Sequence, residues 1–232
     1  MSTIHFIGGE KGGVGKSVVA RLVAQRCIDQ NLPFVAFDAD GSHGALLRHY
    51  ANFASPIDLA QFESADQIMG AATDAQQRVV VDMPAQSERF LSSWINEAQI
   101  LDLAAECGVG VLFWHVIDDG KDSLTTLARL LENFGPKARF VIVKNHGRGR
   151  DFSLFDHSEV RRKAESLGAT ILELPALYAP VMQKIDQFDA SYWAAAHNPE
   201  FAPQAFSRMD RQRLKVWLKA ASDQIDRLAD SF

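Results

Sequence analysis

Two kinds of apolar pattern alternate along the chain. Short runs rich in Val, Ile and Phe occupy residues 3–7, 33–37, 78–81, 109–115, 139–143 and 170–174 and predict strands. Between them lie longer stretches whose apolar residues recur at helical spacing, over 16–30, 64–75, 87–106, 123–133, 156–166 and finally 203–230. Strands alternating with helices imply βαβ units, and so an α/β fold: a mostly parallel, twisted sheet with helices on both faces in three layers. One domain is expected over residues 1–232, with a C-terminal helix at about 203–230. Ligands of such sheets bind at the carboxyl ends of the strands. The polar clusters at 8–17, Asp38 and Asp40, Asp82, Lys144 and Asn145 all fall at such ends.

Composition narrows the classes. The 232 residues are 47% hydrophobic and 23% charged, enough for a sizeable core. A net charge of −5 rules out a wholly basic nucleic-acid binder and requires a local basic patch for any DNA contact. Cys27 and Cys107 are the two cysteines, far apart, which excludes a disulfide framework and a CxxC metal knuckle. His5, Glu10 and Lys11 interrupt any leader-like apolar stretch, and no apolar run nears the roughly 20 residues of a membrane span. The expected compartment is the cytosol.

The first strand runs into Gly8-Gly9-Glu10-Lys11-Gly12-Gly13-Val14-Gly15-Lys16-Ser17. Glycines let backbone N–H groups approach phosphate oxygens, and the helix that follows points its positive end at them. Lys16 supplies a full charge to the β- and γ-phosphates, and the Ser17 hydroxyl is a Mg²⁺ ligand candidate. Strand, loop, Gly-Lys-Ser and helix in this order predict a P-loop that binds Mg·ATP, with Glu10 standing where the usual pattern has its first glycine.

Lys11, five residues before Lys16, is foreign to the ordinary P-loop. The run Lys11-Gly12-Gly13-Val14-Gly15-Lys16-Ser17 resembles the deviant Walker A motif of the ParA/MinD family of ATPases. That resemblance implies a P-loop NTPase fold and a nucleotide-sandwich homodimer in which Lys11 reaches the partner's phosphates, as an arginine finger does. It implies that Asp40, of Phe37-Asp38-Ala39-Asp40, orients the attacking water while Asp38 supports the P-loop and Mg²⁺ region. It makes Asp82 the Walker B carboxylate on a Mg²⁺-bound water, Asn145 the reader of adenine and Pro175 a border of the base, with Gly12 to Val18 around the nucleotide. The match spans about residues 1–180. Val18 replaces the family's second hydroxyl, Gly41-Ser42-His43-Gly44 replaces a Pro-Gln, and His146 replaces an Arg or Lys.

The resemblance implies a slow, partner-stimulated ATPase that positions DNA or another cargo. Its partners would be a second copy, non-specific DNA and a ParB-like or adaptor protein. A MinD-like regulator on a membrane surface is the alternative, and an ATP-dependent metabolic or metal-carrier enzyme a third class. The last helix carries Leu214, Trp217, Leu218, Ala221, Ile225 and Leu228 on one face, with Arg211, Arg213, Lys215 and Lys219 early and Asp223, Asp226 and Asp230 late. That stripe suits packing on the sheet better than an anionic membrane. The basic residues, with Arg148, Arg150, Arg161, Arg162 and Lys163, would then serve DNA near the nucleoid.

Overall fold

The computed structural model describes residues 1–41 and 43–231, the last three by backbone alone. Ser42, two residues after Asp40, and the Asp230 side chain therefore lie outside the described parts. The strands are β1 (Thr3–Gly8), β2 (Phe34–Asp38), β3 (Ala54–Pro56), β4 (Arg78–Asp82), β5 (Gly110–Ile117), β6 (Arg139–Asn145) and β7 (Thr170–Leu174). All pair in parallel in the order β3-β2-β4-β1-β5-β6-β7. The helices are α1 (Lys16–Asp29), α2 (Ala45–His49), α3 (Phe62–Asp74), α4 (Glu88–Glu97), α5 (Ile100–Glu106), α6 (Lys121–Phe134), α7 (Ser153–Asp156), α8 (Glu159–Ser166), α9 (Ala179–Gln187), α10 (Tyr192–His197) and α11 (Arg208–Ile225), followed by a 3-10 segment Asp226–Ser231.

The strands are apolar throughout because both faces are covered. Side chains alternate between faces along a strand. Val79 and Val81 join the core under α3 to α8, whereas Val80 joins the core under α1, α2 and α9 to α11. Phe140 and Ile142 against Val141 and Val143 repeat the division on β6.

Three expected helices are drawn differently. Residues 87–106 form two helices, because Gln99 takes a left-handed φ of 50° between α4 and α5. Residues 156–166 are broken by Ser158, whose hydroxyl accepts from Arg161 N and caps α8. The last helix starts at Arg208 instead of 203, set by a reciprocal cap between Ser207 and Asp210. Its apolar stripe is spent on the core: Leu214, Trp217, Ala221 and Ile225 are buried, and the Trp217 indole N–H donates to Pro175 O at 2.7 Å.

Three histidines are buried in this frame, and burial keeps each neutral: it lowers His5 on β1 to about 3, His49 on α2 to about 4 and His115 on β5 to about 4. Buried Asp82 is raised to about 7 and acts in the opposite sense. Between about pH 4 and 6.5 the unfolded chain takes up protons at three histidines that the fold keeps neutral; the raised carboxyls of Asp82, Asp38 and Glu88 oppose this, and the lowered ones of Asp118, Glu173 and Asp210 add to it. Stability of the ligand-free protein should fall as pH drops from 6.5 to about 4.5. Urea midpoints across that range test this, and a midpoint that rises on acidification contradicts it.

Candidate functional site

The register of three neighbouring strands assembles the site. Ile7 on β1 and Asp38 on β2 both lie opposite Asp82 on β4, so the loop after β1 and two carboxylates leave the sheet at one level. The loop then turns back into α1. Gly15 takes φ 103° at the N-cap, and a side chain there would collide with the Asn145 amide. Val14 is buried and anchors the loop, while Gly12 and Gly13 are exposed at its rim.

Lys16 is buried, and its Nζ donates to Lys11 O at 3.1 Å, folding the side chain back over the loop. Burial lowers its pKa, and the charges of Asp82, Glu10 and Asp40 oppose that fall. Asp82 is fully buried, and among the described residues neither carboxylate oxygen has a partner within hydrogen-bond geometry. Its rise to about 7 comes first from burial and then from the charge of Asp38, with the nearby Ser17 hydroxyl and Lys16 pulling the other way. An orphaned carboxylate beside a hydroxyl is an incomplete set of hard oxygen ligands, and it fits a Mg²⁺ that draws its remaining ligands from phosphate and water. Among the described residues no group of three His, Cys, Asp or Glu side chains forms a metal cage.

Asp38 is engaged differently. Its Oδ1 accepts from Asp40 N at 3.0 Å and its Oδ2 from Leu47 N at 2.9 Å, so it fixes the following loop and the first turn of α2. Burial raises its pKa, against the pull of those N–H groups. Asp40 stands further out, half-buried, and accepts from His43 N at 3.2 Å.

Asn145 is buried at the end of β6. Its Nδ2 donates to Val14 O at 2.7 Å and its Oδ1 accepts from Gly147 N at 3.0 Å, so it braces the P-loop from below. Beside it opens a cavity of about 290 Å³ lined by Val18, Asn145, Arg148, Pro175, Met182 and Asp186 among others. The structure thus brings Val18, Asn145 and Pro175 together in one cavity adjoining the phosphate loop, of a size for a nucleoside.

Lys11 does not stand free. Its Nζ donates to Asp118 Oδ2 at 2.6 Å, and Asp118, in the loop after β5, also accepts from Ser123 Oγ at 2.7 Å and Gly120 N at 3.1 Å. The hydrogen bond to Asp118 raises the Lys11 pKa. Glu10 has a role the sequence did not suggest: its Oε1 accepts from Glu88 N at 2.7 Å and caps α4, tying the P-loop to the loop after Asp82. The Asp118-Asp119-Gly120 turn at a strand exit was the readable signal for the Lys11 partner. Nothing local marks Glu10 as a cap for a helix 78 residues away.

A Gly-rich loop joins the central strand to its helix, and carboxylates end the next two strands on one side, Asp82 on β4 and Asp38 on β2, an arrangement that fits a phosphate-binding loop. No protein-family model matches the chain. It is 24% identical over 240 residues to Protein TraL of Escherichia coli, covering 99% of each. Among solved structures it resembles the septum site-determining protein MinD complexed with Mg-ADP from Pyrococcus horikoshii, with a TM-score of 0.55, 16% identity and 99% and 98% of the two chains covered. It also resembles a nucleotide-binding protein in complex with ADP from Archaeoglobus fulgidus, with a TM-score of 0.57, 16% identity and 89% and 90% covered. The fold is that of the MinD-like P-loop ATPases, in agreement with the ParA/MinD resemblance of the sequence.

Proposed function

We propose that the chain is a Mg·ATP-dependent ATPase of the ParA/MinD kind, working as one domain that dimerises around ATP and positions DNA or another cargo. One observation carries this reading: Lys16, Ser17 and the buried Asp82 meet at aligned strand ends, with Asp38 and Asp40 beside them. The ADP and Mg-ADP named for the two similar structures support an adenine nucleotide here. Ser17 and Asp82 would hold Mg²⁺, which neutralises charge on the phosphates when bound. Lys16 would bind the β- and γ-phosphates, Asn145 and Pro175 would border the base, and Asp40 would orient the water.

Lys11 would act across the dimer, and to do so it must leave Asp118. Hydrolysis by a lone protomer would then be slow, and a partner protein that favours the crossed arrangement would accelerate it. The acting surface is proposed to be DNA. The buried stripe of α11 leaves that helix without an apolar face for a membrane, and among the described residues no helix is long and apolar enough to cross one. Much of the expected basic patch is already neutralised: Arg161 pairs with Asp156 and Glu165, Arg162 with Glu159 and Lys219 with Asp223, while Arg211 donates to backbone carbonyls. Arg148, Arg150, Lys163 and Lys215 are exposed and have no ion pair among the described residues, which makes them the cations for phosphate contact.

The test uses an Asp40→Ala protein loaded with Mg·ATP. Light scattering should report a dimer, and sedimentation should report binding to random duplex DNA that falls steeply with salt, with little binding to anionic liposomes. Additional Lys11→Ala should weaken dimerisation. A loaded protein that stays monomeric removes the sandwich, and liposome binding without DNA binding at low salt favours the membrane alternative.

A further inference from the structure

Ser17, His49, Asp186 and Tyr192 converge on one buried cation, Arg21. Arg21, on α1 four residues after Ser17, is 3% exposed. Its Nε donates to Ser17 O at 3.1 Å, and its Nη1 donates to His49 Nε2 at 2.9 Å and to Asp186 Oδ1 at 3.0 Å. Its guanidinium lies 5.3 Å from the centre of the Tyr192 ring, and the Tyr192 hydroxyl donates to Val18 O at 3.3 Å. His49 Nδ1 lies 2.8 Å from Ala190 O, which can only accept, so Nδ1 carries the proton and Nε2 accepts from Arg21.

Each arm ends in a different part of the proposed machinery. Asp186, on α9, lines the cavity that also holds Val18, Asn145 and Pro175. His49 is the last residue of α2. The first turn of that helix is held by the Asp38 carboxylate on Leu47 N, and its N-cap Gly44 donates to Asp40 O at 2.8 Å. A five-residue helix is a stiff rod roughly 7.5 Å long, so a displacement at its end reaches its start. A guanidinium is a rigid fork, so a shift of one acceptor must move the others or break a bond. A buried charge makes breaking costly, because Arg21 would be left without its compensating carboxylate.

We propose that Arg21 is a positioning residue that couples occupancy of the nucleoside cavity, sensed at Asp186, to the placement of the Asp40 loop, set through His49 and α2. The proposal rests on the ATPase reading above and adds to it a route by which the base end of the nucleotide adjusts the end where water is activated. Arg21 itself touches neither nucleotide nor water in this scheme.

Hydrogen exchange at residues 43–49, with and without saturating Mg·ADP, tests the coupling. In the wild-type protein ADP should slow exchange there about tenfold. His49→Leu removes the acceptor, and Asp186→Asn, at a half-exposed position that tolerates change, removes the compensating charge. His49→Leu, away from the cavity, should bind Mg·ADP as the wild type does, Asp186→Asn should bind it more weakly, and both, at Mg·ADP concentrations that saturate each, should show less than about a twofold slowing at 43–49. His49→Gln, whose Oε1 can accept from Arg21, should recover most of it, which a merely space-filling role for His49 would not predict. If both variants bind Mg·ADP and retain the wild-type slowing, the coupling is overturned while the ATPase reading stands. Failure of the wild type to bind Mg·ADP would overturn both.

Discussion

Lys16→Ala should weaken ATP binding roughly 100- to 10,000-fold, the loss of two charge-assisted hydrogen bonds of about 1.5–3 kcal/mol each. The lysine is already desolvated and aimed at the loop, with its Nζ on Lys11 O, so little has to be reorganised when phosphate arrives. The same placement makes it unimportant for folding: its chain partner is one carbonyl on an accessible loop. Alanine should therefore leave the thermal midpoint within a few degrees while abolishing the signal in a fluorescent-nucleotide titration. Affinity within threefold of wild type would mean that the glycine loop is a structural turn.

Asp40→Ala should do the reverse, keeping nucleotide affinity within about threefold and lowering turnover roughly 100-fold or more, the scale of a lost water-orienting group. Asp38 is the buried brace here, with both oxygens committed to Asp40 N and Leu47 N. Asp40 carries its carboxylate beyond that brace, half-buried. Removing it leaves the backbone of the loop held. Phosphate release under saturating Mg·ATP measures the effect. Normal turnover by Asp40→Ala would move the water-orienting role to another group.

The sheet was readable because strands buried on both faces are locally unambiguous, as in Val79 to Val81 between Arg78 and Asp82. The P-loop was readable because its chemistry is written in consecutive residues. What escaped depends on distant contacts. The α2 helix is five residues long, too short for a periodic signal, and its first turn is held by Asp38. The β3 strand has three residues and ends on Pro56 at the sheet edge. Gln99 breaks a helix without the glycine or proline that would announce it. The Ser158 and Ser207 caps were missed as well, and the helices were drawn through or ahead of them, although each is a serine heading an acidic first turn. Arg21, His49 and Asp186 are unremarkable apart and meaningful once packed together.

Calorimetric titration of ATP into the wild-type protein, with Mg²⁺ and again with the metal chelated, asks whether the loop of residues 8–17 binds Mg·ATP. Saturable one-site binding that weakens without Mg²⁺ and vanishes in Lys16→Ala is the predicted result. Absence of any ATP binding at millimolar concentration with Mg²⁺ present would contradict it.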